Sequence, residues 1–387
     1  MFSIKTYNNI SEKGLQRFPA QTYRMGEDVE RPDAIMLRSF DLHSVEIPPS
    51  VQAVGRAGAG VNNIPVAEMS MRGVPVFNAP GANANAVKEL VLAGMLLACR
   101  NICQAWQYTL QLEGSDEEMH KAVEAGKKKF VGYELPGRVL GVIGLGAIGV
   151  QVANAAVALG MKVVGYDPTI TVKRAWQLSS DVQEMGTVED LLQIADFVTF
   201  HVPLLDQTRH LLNAKRLAGT KDGIVVLNFA RDGIVDERAI LDGIQSGKVN
   251  AYVCDFPSRS LRNNPRVITL PHLGASTVEA EENCAIMVAD QLKEFLENGN
   301  IKNSVNFPDL KLRRAGEQRL AIANLNRPDM VGQISHFLGK ADANILRMAN
   351  ESRGELAYNL IDLDGHADES TLNLIRRIDG VLSVRAI

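Results

Sequence analysis

Two residues of this 387-residue chain have side chains suited to binding and converting a small acid. Arg231 follows the apolar run Ile-Val-Val-Leu-Asn-Phe-Ala. A guanidinium there can clamp a carboxylate and polarise a neighbouring carbonyl. His272 follows Val-Ile-Thr-Leu-Pro and precedes Leu273-Gly274, so it sits on a turn and not on an apolar helix face. Imidazole moves protons near neutral pH; a lone histidine is more often structural, and the turn setting brings the two readings of His272 level. Asp255, after Ala-Tyr-Val-Cys, either orients an amide or caps a turn. Among the seven histidines only His201, after Phe-Val-Thr-Phe, shares a comparable strand-end setting.

Such residues need an acceptor for electrons, and one stretch supplies its binding pattern. Arg138-Val-Leu-Gly-Val-Ile-Gly144-Leu-Gly146-Ala147-Ile148-Gly149 reads as a buried strand, a glycine turn and a helix start. Gly144 permits the tight turn, Gly146 lets a pyrophosphate approach N–H groups at the helix N-terminus, and Gly149 lets helix and strand pack closely. Asp167 lies 18 residues after Gly149, close to the spacing of a ribose-binding carboxylate. An acid there repels a 2′-phosphate and favours NAD over NADP; Lys173 and Arg174 keep the other choice open.

The elements that must carry these residues alternate strand and helix. Strands are expected at 138–143, 161–166, 196–201, 223–229, 250–254 and 266–270, six in all, with helices between most of them. Ahead of them, strands at 34–37, 53–54 and 74–77 each end in polar or glycine-rich turns: Arg38-Ser39, Arg56-Ala57-Gly58-Ala-Gly60 and Asn78-Ala-Pro-Gly81. Each alone is an ordinary turn. Together they point to an anion-binding crest built from Arg38, Arg56 and the N–H groups of Ala57–Gly60. One long helix is expected over 85–112 and another over 275–300, stopped by Asn298-Gly-Asn. The tail reads as βαββαβ, a ferredoxin-like module of about seventy residues. The fold class is therefore α/β: two doubly wound Rossmann/flavodoxin-like domains plus this module. Expected boundaries are 1–92 with 273–307 for a discontinuous substrate domain, 93–272 for the dinucleotide domain, 308–316 for a linker and 317–387 for the tail module.

Composition excludes several function classes. Apolar residues make up 46% and charged residues 22%, and the net charge is −4, with no sign of a nucleic-acid surface. The Lys127-Lys128-Lys129 run is a solvated face or an attractor of anions. The four cysteines lack metal spacing and form no disulfide framework, which fits a reducing cytoplasm. No apolar run reaches membrane-spanning length, and no metal is called for.

These motifs resemble the D-2-hydroxyacid dehydrogenases: Gly144–Gly149 with Asp167, Asn228-Phe-Ala-Arg231-Asp-Gly-Ile-Val-Asp236, Val253-Cys-Asp255-Phe and Pro271-His272-Leu-Gly-Ala-Ser-Thr277. Gly55-Arg56-Ala-Gly58-Ala-Gly60-Val, Pro271–Thr277 and the tail are similar to the branch that oxidises D-3-phosphoglycerate in L-serine biosynthesis. The resemblance spans nearly the whole chain. It implies that Arg231 binds the carboxylate and carbonyl, that His272 is the acid/base, and that Arg38, Ser39, Arg56, Ala57 and Gly58 meet the substrate. It implies NAD contacts at Gly144, Gly146, Ala147, Ile148, Gly149, Asp167, Val202, Phe229, Asp255, His272 and Gly274. The tail is similar to an ACT domain, with Asn326 and Asn344 as ligands for an L-serine effector at subunit interfaces of a homodimer or homotetramer.

Two departures stand out. The family places a Glu a few residues after the Asp255 position, paired with the histidine; residues 256–271 contain no Asp or Glu. A carboxylate partner raises a histidine pKa, whereas serine adds no charge, so the acid/base group is expected to titrate lower than in enzymes with the Glu. The ACT pattern Asn-x-Pro-Gly reads Asn326-Arg-Pro-Asp329 here, which counts against serine inhibition. Enzymatic alternatives act on glycerate or 2-oxoglutarate. A further alternative is a non-catalytic NADH-binding regulator of the same fold.

Overall fold

The computed structural model describes residues 1–7 and 10–387. It comprises two compact units, residues 1–83 with 278–387 and residues 84–277.

The first unit opens with five strands: β1 (Phe2–Tyr7), β2 (Tyr23–Gly26), β3 (Ala34–Leu37), β4 (Ala53–Arg56) and β5 (Val76–Phe77). All pair in parallel, in the order β2-β1-β3-β4-β5, the flavodoxin-like arrangement. Strands β1 and β2 add to the three expected. Phe-Ser-Ile-Lys-Thr-Tyr alternates polar with apolar, and Tyr-Arg-Met-Gly is short and ends in glycine, so neither shows the continuous apolar run of β3. The helix Val278–Asn298 covers this sheet. A Cβ on Gly55 would lie 2.5 Å from Val288 Cγ1 and 2.9 Å from Leu292 Cδ1, so glycine is what lets the helix approach β4.

The second unit begins with helices, not with the single one expected over 85–112. The chain forms Ala84–Cys99 and Ile102–Leu110, broken at Asn101, whose φ of 49° is left-handed. Asparagine tolerates that conformation, and apolar periodicity on either side masks the break. Then come β6 (Val139–Ile143), β7 (Lys162–Tyr166), β8 (Val182–Glu184), β9 (Phe197–Phe200), β10 (Ile224–Asn228), β11 (Val249–Cys254) and β12 (Val267–Thr269). The seven-stranded sheet is parallel, in the order β12-β11-β10-β9-β6-β7-β8. The sequence pattern gives six strands; the extra one, Val-Gln-Glu at the edge, is short and mostly exposed. Strand order reverses between β6 and β9, which opens the crevice where such sheets bind ligands.

The chain then returns to the first unit. After Val278–Asn298, Gly299 (φ 70°) ends the helix, and β13 (Gln318–Leu325), β14 (Asn344–Arg353), β15 (Leu356–Asp364) and β16 (Val381–Ala386) form an antiparallel sheet, order β14-β15-β13-β16. With helices Met330–Lys340 and Glu369–Arg376 this is the expected βαββαβ module. It does not hang on a tether. Leu310 in the preceding segment is buried and pairs with Ile301 through backbone bonds. Three module side chains cap the carbonyls left free of helical bonds at the end of Val278–Asn298. Arg385 donates to Phe295 O and Leu296 O, Arg319 to Asn298 O at 2.9 Å, and Tyr358 Oη to Gly299 O at 2.7 Å. Cations at a helix C-terminus also meet the negative end of its dipole. Arg319 is itself anchored by a fully buried, two-bond pairing with Asp362 (2.6 and 2.8 Å). Among the described residues, no helix is long and apolar enough to cross a membrane.

Candidate active site

The carboxyl ends of β6, β7, β9, β10 and β11 gather most of the residues singled out above. Gly144 adopts φ 93°, and a Cβ there would come within 2.6 Å of His201 O and 2.9 Å of Val202 Cγ1. A Cβ on Gly149 would strike the Gly144 carbonyl, so glycine is required for the helix Ala147–Ala158 to start against β6. Gly146 is different: it N-caps that helix, and no atom lies within 4 Å of where its Cβ would be. Open space over a helix N-terminus is what a pyrophosphate needs, so the turn fits a dinucleotide. Asp167, one residue beyond β7, accepts the Leu145 N–H at 2.8 Å through Oδ2 and the Thr169 N–H at 2.9 Å through Oδ1. It therefore orders the glycine turn; Oδ1 also takes the Thr169 hydroxyl at 3.1 Å, and Oδ2 keeps a lone pair for a ribose hydroxyl.

Arg231 is presented by a turn that Asn228 builds. Asn228 is buried at the end of β10; its Nδ2 donates to Arg231 O at 3.0 Å and its Oδ1 accepts from Ala230 N at 3.2 Å. The Arg231 guanidinium is exposed and bonds only the Ala230 carbonyl, at 2.7 Å, so among the described residues no carboxylate competes for it. Phe229 packs inward beneath the turn.

Asp255 resolves toward the turn-capping role. It is buried, and its two oxygens accept the N–H groups of Leu273 and Gly274, each at 2.8 Å. His272, immediately before them, is exposed with φ 57°. A non-glycine residue in that region carries strain of roughly 1–3 kcal/mol. Two charge-assisted bonds to the next two residues hold it there. The Phe256 ring stands edge-on to the imidazole, 5.3 Å between centroids. His201 has a different environment. Its Nε2 meets Thr199 Oγ1 at 3.0 Å, its Nδ1 is buried without a partner among the described residues, and burial pushes its pKa down to about 3. It stays neutral and does not exchange protons near pH 7.

The stretch 256–271 lacks an acid, yet a carboxylate reaches it from elsewhere. Glu237, in the first turn of the helix capped by Asp236, accepts the hydroxyls of Ser258 (2.8 Å) and Ser260. Sequence spacing gave no sign of this, because Glu237 precedes the stretch by some twenty residues. Burial raises the pKa of all four thiols, so none is an activated nucleophile.

In the other unit, Arg38 follows β3 and Arg56 ends β4, in adjacent register. Arg38 Nη2 pairs with Glu281 at 2.6 Å, and Arg56 Nε donates to Arg38 O at 3.1 Å. The expected crest of N–H groups is smaller than the sequence implies. Ala57 N–H bonds Leu37 O and Gly58 N–H bonds Arg56 O, which leaves Ala59 and Gly60. Ser39 is exposed beside them. In the C-terminal module Asn326 Nδ2 donates to Gly354 O at 3.0 Å, Asn344 begins β14, and Asp329 has a left-handed φ of 64°, which explains a glycine in the family pattern.

A seven-stranded parallel sheet with this glycine turn at its switch point defines a dinucleotide-binding dehydrogenase. Residues 92–274 match the family model "D-isomer specific 2-hydroxyacid dehydrogenase, NAD binding domain". The chain is 32% identical over 355 residues to the D-3-phosphoglycerate dehydrogenase of Haemophilus influenzae, covering 89% of this chain and 83% of that protein. It is 35% identical over 346 residues to that of Methanocaldococcus jannaschii, covering 87% of this chain but only 63% of the longer relative. The protein belongs to the D-2-hydroxyacid dehydrogenase family. Among solved structures, a glyoxylate reductase from Paecilomyes thermophila superposes with a TM-score of 0.63 at 25% identity, covering 79% of this chain and 98% of that one. The NAD+-bound 3-phosphoglycerate dehydrogenase of Entamoeba histolytica superposes at 0.59 with 23% identity, covering 80% and 99%, a likeness of fold.

Proposed function

We propose that the protein oxidises D-3-phosphoglycerate to 3-phosphohydroxypyruvate with NAD, the entry step to L-serine. The observation that carries this reading is the likeness to the Haemophilus enzyme, which runs through 89% of the chain. NAD, when bound, supplies the carbon that accepts the hydride. The chain's own residues do the rest. Arg231 offers its guanidinium fork to the substrate carboxylate and carbonyl oxygen. His272 takes the hydroxyl proton on an imidazole nitrogen, and Asp255 keeps that imidazole in place. Gly144, Gly146, Ala147, Ile148, Gly149 and Asp167 hold the dinucleotide, with Val202, Phe229, Asp255 and Gly274 assigned to it on the family pattern. Arg38, Ser39, Arg56, Ala57 and Gly58 are assigned to the substrate on the same pattern.

Kinetics with 3-phosphohydroxypyruvate, hydroxypyruvate and 2-oxoglutarate, following NADH loss, tests the choice of substrate. A preference for either of the latter two moves the protein to another branch; no turnover with any makes it a non-catalytic NADH binder.

Three finer assignments accompany this reading. The proposed division is 1–92 with 273–307, 93–272 and 317–387, with 308–316 as the connection, whereas the two compact units divide at 83/84 and 277/278. A homodimer or homotetramer is supported by exposed apolar side chains on the helix Ile102–Leu110, where Trp106 is 64% and Leu110 65% exposed, and sedimentation of the full chain tests it. An L-serine site would use Asn326 and Asn344; no inhibition at millimolar serine removes it. Four unpaired thiols fit a cytoplasmic setting.

A further inference from the structure

The amino ends of the seven-stranded sheet carry a second polar cavity that this chemistry does not use. It has a volume of about 460 Å3 and is lined by Tyr133 and Arg138 ahead of β6, the turn 221–223 ahead of β10, Asn250 of β11 and Arg266 just ahead of β12. The candidate active site lies at the carboxyl ends. Strand β6 separates the two by five residues, roughly 16 Å at 3.3 Å per residue.

The charges in this cavity do not cancel. Asp196 gives one oxygen to Lys221 Nζ at 2.9 Å and the other to the Val139 N–H at 2.8 Å. Asp222 is held by Lys248 at 3.0 Å. Each acid thus already has its own lysine. Arg138 and Arg266 have no such partner: among the described residues neither forms an ion pair. Arg138 sits over the Tyr133 ring, 4.2 Å from its centroid, and its Nε donates to Glu134 O at 3.3 Å. Stacking fixes a guanidinium while leaving its terminal N–H fork available. Among the described residues the Arg266 guanidinium reaches only Asn101 Oδ1, at 3.4 Å. Asn250, which donates to Tyr133 Oη at 3.4 Å, adds an amide to the wall.

We infer that this cavity binds a small polyanion with two or more phosphate or carboxylate groups, held by Arg138 and Arg266. Two guanidinium groups outside any ion pair, in a concave site whose two acids are each held by a lysine, match that chemistry, and the volume lies within the range of small-ligand pockets.

Calorimetric titration of the full chain with citrate and, separately, with inorganic pyrophosphate tests this. The protein carries Arg231→Gln and is saturated with NADH, so the opposite end of the sheet does not contribute. The expected result is saturable binding of at least one probe, weakened tenfold or more by Arg138→Gln with Arg266→Gln, and NADH affinity unchanged. Binding of citrate alone assigns a polycarboxylate, and binding of pyrophosphate alone a phosphorylated ligand. No saturable binding at millimolar probe, or binding that the double variant leaves intact, overturns the inference. Should the double variant fail to fold, Arg266→Gln alone, at an exposed position, gives the same reading with a smaller loss.

Discussion

Asp255 and Gly274 are joined by a buried hydrogen bond, 2.8 Å from the Gly274 N–H to Oδ2, while Oδ1 takes the Leu273 N–H at the same distance. The acid thereby fixes the left-handed turn that carries His272. Asp255→Asn replaces one acceptor with a donor facing an N–H. It is expected to lower kcat at least tenfold and to cost about 1.5–3 kcal/mol of stability, the worth of a charge-assisted bond. Steady-state kinetics and thermal melts check both. A loss confined to NADH affinity would instead give Asp255 a cofactor role alone.

His201 makes the protein acid-sensitive. Its folded pKa of about 3 lies below its ordinary 6.5. Between those values the unfolded chain binds a proton that the native one does not, so stability rises with pH across that window and falls as pH drops. The slope from this group is about 1.4 kcal/mol per pH unit. Replacing it by His201→Asn should flatten the denaturation curve between pH 6 and 4; an unchanged slope would contradict a buried neutral imidazole.

The Glu237–Ser258–Ser260 cluster sets the outcome of Ser260→Glu. A carboxylate installed there meets Glu237, which now accepts the Ser260 hydroxyl. Like charges at contact are unfavourable, so the single variant is expected to lose stability, and adding Glu237→Gln should restore it. In the double variant the pH–rate limb for oxidation moves to higher pH, because a new carboxylate favours the protonated imidazole. An identical limb in wild type and double variant counts against any influence of that position on His272.

The buried pair Arg319–Asp362 holds the C-terminal module to the end of the helix Val278–Asn298. Arg319→Met strands a buried carboxylate and should cost about 3–5 kcal/mol; pairing it with Asp362→Leu should recover much of that. Equal losses in the single and double variants, in denaturant melts, would mean the pair contributes nothing specific.

What was legible in the sequence follows physical rules. Gly144, Gly146 and Gly149 sit where backbone geometry forbids a side chain or leaves room for a ligand, so their spacing reports their role. The tail has the βαββαβ order expected of it, its helices Met330–Lys340 and Glu369–Arg376 falling between the strands. Strands β1, β2 and β8 were hidden because edge position or alternation weakens the apolar signal. The break at Asn101 was hidden because a single left-handed residue leaves helical periodicity on both sides. The Asp255 clamp and the Glu237 cluster join residues about twenty positions apart, and no local pattern encodes such pairings.

The most direct test of the account is kcat/KM for 3-phosphohydroxypyruvate with NADH, in the wild-type protein and in His272→Gln. General acid–base catalysis typically contributes 10²–10⁴-fold. Robust wild-type turnover is expected, with a loss of at least about 100-fold in the variant. Turnover that survives His272→Gln would contradict it.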